Sequence, residues 1–167
     1  MKTYIKIFLH LTFFLLVNNI FSQTELDYTI LKKLNEYRKE NGLNTLVWSD
    51  KAFKASEHHS KYMDEKRELT HNEDSPTPSL NSRMWHYGIT DNLTNGEICC
   101  LAYTYGVTSI DSVAIIILDA WKNSKGHNKI MLNPYYDFAG SSCLYKTKEC
   151  EWFGEIGYGY TTMVLFK

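Results

Sequence analysis

The sequence predicts an α+β layered domain, with helices first and strands after. Two patterns carry this reading. Up to about Asn123, apolar residues recur at three- and four-residue spacing, as in Leu26, Ile30, Leu31, Leu34 and Tyr37. Beyond Pro134 the chain turns aromatic and β-branched, in short runs broken by Gly154, Gly157 and Gly159. A length of 167 residues, 44% of them hydrophobic, suffices for one buried core and one domain.

The first 22 residues stand apart from that core. Lys2 and Lys6 precede an apolar run from Ile7 to Val17, and Ser22 is a small residue at a plausible cut site. This is the pattern of a secretory signal peptide, and the run falls short of the roughly 20 apolar residues of a membrane span. The domain is therefore expected over 23–167. Thr24-x-x-Asp27 resembles a capping box and opens a first helix, which Gly42 ends. A short link anchored by Leu46 and Trp48 follows. Ser49 or Asp50 then caps a second helix, with Ala52, Ala55, His59, Tyr62 and Met63 on one face. From Glu68 to Asn95 the chain is polar and reads as loop around one short helix near Leu80 to Tyr87. A loop of this length in a small domain points to function. Ser109 can cap a third helix running to about Asn123, whose middle, Val113 to Leu118, is apolar nearly all round and so expected to be buried, while four β-branched residues there also permit a strand. Strands are expected at Phe138 to Tyr145, Cys150 to Ile156 and Tyr160 to Phe166.

Charge narrows the partners. The chain carries 18 Lys and Arg against 19 Asp and Glu, and signal cleavage removes two lysines. A mildly acidic product argues against nucleic acid, and no basic cluster or second apolar span points to a membrane. Export favours oxidised cysteines. The four, Cys99, Cys100, Cys143 and Cys150, allow three connectivities. Cys143–Cys150 is the favoured pairing, because these two flank a short polar segment readable as a hairpin tip. Cys99 and Cys100 are adjacent, and at least one is expected as a buried free thiol. Asn92-Leu93-Thr94 would accept a glycan in a eukaryotic host.

Three polar residues stand out: His71, Glu97 after Gly96, and His127 after Gly126. Far apart in sequence, they are the material of one polar site if the fold brings them together. His59 lies on the inner face of its helix and is expected to pack beside that site, while His58 and His86 are expected at the surface. No Gly-x-Ser-x-Gly elbow, His-Glu-x-x-His helix or Cys-x-x-Cys spacing occurs. Ser124 stands three residues before His127, within reach if that stretch is helical.

Several segments together resemble the CAP superfamily (cysteine-rich secretory proteins, antigen 5, pathogenesis-related 1), or SCP-like domains, in the style of its short bacterial members. They are Leu34-Asn35-x-x-Arg38 with Leu46-x-Trp48, then Ala55-x-x-x-His59-Ser60-x-x-Met63. His71, Arg83 and Gly96-Glu97 follow, and then Trp121-x-x-Ser124-x-Gly126-His127 with Asn133-Pro134 and Gly140. The resemblance spans about Leu26 to Phe166. It implies a three-layer α-β-α sandwich with a small antiparallel sheet and a cleft lined by two histidines and two acids. His71, Glu97 and His127 match three of these, and Ser124 stands where the second acid belongs. Ile98 replaces the asparagine that usually follows the glutamate.

Two imidazoles, His71 and His127, with a carboxylate can hold Zn²⁺ with an open position for water. The same residues can instead hydrogen-bond across the cleft and tether loops. The reading that results is a secreted binding or interaction module, periplasmic if the host is Gram-negative. The resemblance implies a lipid, sterol or protein ligand. The rivals are a Zn²⁺-dependent hydrolase using the same cleft and a structural envelope protein with an inert one.

Overall fold

Serines start four of the helices. Ser49 Oγ accepts from Ala52 N–H at 3.3 Å, Ser79 from Ser82, Ser109 from Ser112 and Ser124 from His127, each satisfying an orphan donor of a first turn. The computed structural model describes residues 23–91, 94–106, 108–151 and 154–167. The expected signal segment 1–22 and most of the glycan acceptor lie outside the described residues. The elements are α1 (Gln23–Glu40), β1 (Val47–Trp48), α2 (Asp50–Lys66), α3 (Leu80–His86), β2 (Asn95–Tyr105), α4 (Ile110–Lys122), α5 (Lys125–Met131), β3 (Phe138–Cys150) and β4 (Gly154–Phe166).

The sheet has the order β1-β3-β4-β2, antiparallel throughout except for β1 beside β3. α1 and α4 pack on one face around Leu26, Ile30, Leu34, Ile117, Trp121 and Met163. α2 and α3 cover the other, with Ala52, Ala55, Met84 and Val164 between them. This is the three-layer sandwich. α2 lies unusually close to the strands because both surfaces are small. A Cβ at Gly140 would overlap the Phe53 backbone, and the inner face of α2 offers Ser56 and Ser60 rather than bulky residues. Their hydroxyls donate to the Gly140 and Ser142 carbonyls at 2.7 and 2.8 Å.

Several expectations are corrected. Two long strands replace three short ones. Gly157 does not break β4 but lies inside it, where a Cβ would overlap the Tyr145 hydroxyl that bonds Thr104 across the strand. Asp27 does not cap α1, which already begins at Gln23. It lies on the buried face, where its Oδ1 accepts from Cys143 N–H at 2.7 Å while Ser141 donates to its backbone carbonyl. α4 is not buried all round, since Ile115 and Ile116 are 42% and 37% exposed. The Cys143–Cys150 bridge is not formed, and all four thiols are free. Both residues lie on β3, seven positions apart and so on opposite faces. That separation is about 23 Å of strand, against the 4.4–6.8 Å between Cα atoms that a disulfide requires.

Burial pushes the Asp27 carboxyl up to about 8, against the lowering effect of the Cys143 N–H. The folded state therefore binds a proton that the unfolded chain releases near pH 4. Stability is greatest below pH 4 on this account and falls as pH rises through 8. Urea unfolding from pH 4 to 9 should show that decline, and Asp27→Asn, which keeps an acceptor for Cys143, should remove most of it. Asp27→Ala strands the buried Cys143 N–H and should cost about 1–3 kcal/mol.

Candidate functional site

Glu97 lies near the start of β2, an edge strand of the sheet, and its side chain is on the α2 side with that of Cys99. Arg83 reaches it from α3, donating from Nη2 to Oε2 at 2.5 Å. His71 reaches it from the loop after α2, with Nδ1 at 2.9 Å from Oε1. His127 comes from α5, on the α4 side, and its ring meets that of His71 edge-on at a centroid separation of 6.5 Å. His71, Glu97 and His127 thus lie together, drawn from a loop, a strand and a helix. Ser124 is the fourth residue singled out in the sequence. It caps α5, its Oγ accepting from the His127 backbone at 3.5 Å.

Beneath this rim lies a second set of charges. The fully buried His59 places Nδ1 at 2.7 Å from Glu73 Oε1 and Nε2 at 2.7 Å from the Thr70 carbonyl. A carbonyl only accepts, so Nε2–H donates, and the ionised Glu73 takes the other N–H. Hydrogen bonding therefore fixes the His59 ring between the Thr70 carbonyl and the Glu73 carboxylate. Glu73 also accepts from Thr77 at 2.9 Å and lies 3.4 Å from Arg83 Nη1. Arg83, His59 and the two carboxylates form one buried, mutually bonded group. Burial works to raise both carboxyls. At Glu73 the His59 bond, the Arg83 charge and Thr77 outweigh it; at Glu97 the His71 bond and the Arg83 and His59 charges do, so both are held below the usual range.

His58 is not the surface residue expected of it. It is only partly exposed, with Nδ1 at 3.0 Å from the Tyr87 hydroxyl and Nε2 at 3.1 Å from Glu73. Glu73 itself has no distinguishing mark in the sequence, being one acid among several in a polar loop. Arg83 carried only its place in the resemblance.

The two rim histidines titrate in opposite senses. The Glu97 bond raises the His71 pKa, against burial, while burial and the neighbouring His71 charge lower that of His127. His71 Nδ1–H thus donates to Glu97, the arrangement in which a carboxylate orients a metal-binding imidazole. His59, Glu97 and Cys99 also place one ligand atom each within 4.8 Å of one another, a spacing that would suit a metal ion. The donors themselves oppose it. Both His59 nitrogens are engaged, Arg83 holds Glu97, and burial keeps the Cys99 thiol protonated.

Residues 31–161 match the model of the cysteine-rich secretory protein family, CAP. Among solved structures, the chain is similar to an SCP-domain extracellular protein of Bacillus anthracis, at 19% identity and TM-score 0.66 over 87% of this chain and 41% of that one. It is also similar to an outer surface protein of Borrelia burgdorferi, at 19% identity and TM-score 0.60 over 87% of this chain and 94% of that one. A cysteine-rich secretory protein of Staphylococcus aureus follows, at 17% identity and TM-score 0.58, over 88% and 40%. This chain therefore spans about two fifths of the Bacillus and Staphylococcus proteins. At these identities the likeness is one of fold. The comparison with curated proteins gives no match.

Removing one member of a buried ion pair leaves its partner uncompensated, at about 3–5 kcal/mol. Arg83→Met should destabilise the protein by that amount in urea unfolding, and the double variant Arg83→Met/Glu97→Gln by less. NMR titration should find the His71 pKa above that of His127, and Glu97→Gln should lower it.

Proposed function

The chain belongs to the cysteine-rich secretory protein (CAP) family, and from that premise we propose that it is an exported extracellular binding module with a His71–Glu97–His127 rim. The rim takes a divalent cation such as Zn²⁺ weakly and uses it to anchor a ligand. One observation carries binding over hydrolysis: both Glu97 oxygens are already engaged, by Arg83 and His71. Ser124, in the place of the second acid, caps α5. Neither residue is left to serve as the general base that metal-assisted hydrolysis needs.

His71 and His127 are the residues that would hold the ion. Bound there, it would supply a fixed positive charge and a Lewis acid for a carboxylate, phosphate or carbonyl of the ligand. Glu97 orients the His71 ring, and Arg83 holds Glu97. Export is supported by the amino-terminal pattern and by the likeness to an extracellular protein of Bacillus and an outer surface protein of Borrelia. Among the described residues no helix is long and apolar enough to cross a membrane. The ligand class that the family resemblance implies is a lipid, a sterol or another protein.

Calorimetric titration with Zn²⁺ should show submillimolar binding that is lost in both His71→Ala and His127→Ala. Equal heats in all three proteins would remove the cation from the proposal. A peptidase and esterase screen with Zn²⁺ present should stay silent. Turnover that disappears in either histidine variant would establish the hydrolase instead.

A further inference from the structure

Past the carboxyl end of α2 no helix among the described residues covers the sheet. On that face β2 and β4 carry the cross-strand pairs Leu101–Tyr160, Tyr103–Tyr158 and Tyr105–Ile156, and β3 adds Lys146 beside Tyr158 and Lys148 beside Ile156. All of these but Lys146 border, with Arg67, an open concavity of about 610 Å³. Tyr103 and Tyr105 are 54% and 68% exposed. The Arg67 guanidinium and the Lys148 ammonium lie 5.8 and 6.0 Å from the centre of the Tyr158 ring. On this face the cations Arg67, Lys146 and Lys148 outnumber the acid Asp64, which pairs with Arg67 and Lys146, while Glu149 and Glu155 at the strand ends fall on the opposite face by alternation.

We infer that this tyrosine shelf binds an acidic polysaccharide, a chain of uronic acid units lying across the sheet. A cluster of exposed rings exceeds the scattered apolar residues normal on a surface and marks a contact site. Tyrosine provides a flat apolar face to a sugar ring and a hydroxyl to its edge. Arg67 and Lys148 supply charge for the carboxylates. An extended peptide binds a sheet through backbone groups at its edge, which the face does not offer. Nucleic acid would also stack on tyrosine, and the titration below tests it as the rival occupant. The shelf is separate from the histidine rim, since Tyr103 lies six residues along β2 from Glu97, about 20 Å.

The test is titration of the full chain with hexamannuronate, beside maltohexaose, hexaglutamate and oligothymidylate. Hexamannuronate should bind, salt should weaken it, and Tyr103→Ala and Lys148→Ala should each weaken it about tenfold. Both side chains are exposed, and circular dichroism should show each variant folded. His71→Ala should bind as the parent does, which keeps this site distinct from the rim. No binding of hexamannuronate overturns the inference, as does binding unchanged in the tyrosine variant. Hexaglutamate or maltohexaose bound equally well would reduce the shelf to charge or to stacking alone, and a preference for oligothymidylate would assign it to nucleic acid; either result also overturns it.

Discussion

The ion group of Arg83, Glu97, Glu73 and His59 holds the α2 side of the molecule together. Each member comes from a different piece of chain: α3, β2, the loop after α2, and α2 itself. That loop is polar and has little apolar surface to bury. What fixes it is a set of charge-assisted bonds in a dry interior, where each partner's desolvation is balanced only if every other partner is present. Because Thr70 and Glu73 are both tied to His59, the backbone between them is held, and His71 projects from that held segment. The outward histidine is thus placed by buried charge rather than by packing of its own ring.

The site also depends on the strand beneath it. Side chains alternate along β2, so Glu97, Cys99, Leu101, Tyr103 and Tyr105 share the α2 side while Ile98, Cys100 and Ala102 enter the core under α4. α5 brings His127 from the α4 side. The two histidines therefore meet from different layers near an edge strand, open to solvent in a way that a site inside either layer would not be. The small residues of α2 and the glycine opposite them contribute indirectly. By letting α2 settle close on β3, they set His59 deep enough to reach Glu73.

Much of this was legible in the sequence. α1, α2 and α4 follow their apolar spacing, and the capping serines Ser49 and Ser109 mark two of the starts. β2 was not read as a strand because Ile98-Cys99-Cys100-Leu101 is apolar without alternation, the mark of a strand covered on both faces rather than one. Gly157 looked like punctuation because its real constraint, the Tyr145–Thr104 contact, joins the strands on either side of it. The cysteine pairing failed for a related reason: a polar segment between two cysteines resembles a hairpin tip, but here it is the exposed end of one long strand. At the site, His71, Glu97 and His127 could be singled out by their place in a family pattern. Glu73 and the bonded state of His59 could not, since their meaning arises only when a loop acid and a helical histidine are folded against each other.

The shared alternation along β2 ties together features that otherwise look independent. Inserting or deleting one residue ahead of Glu97, with the strand ends held, would turn the carboxylate and both exposed tyrosines toward the α4 layer and swing Ile98 and Cys100 outward. The rim would lose its acid, the shelf its rings and the core its packing in a single event. A change of length within the strand thus disturbs three features together, where the exchange of one side chain for another disturbs one.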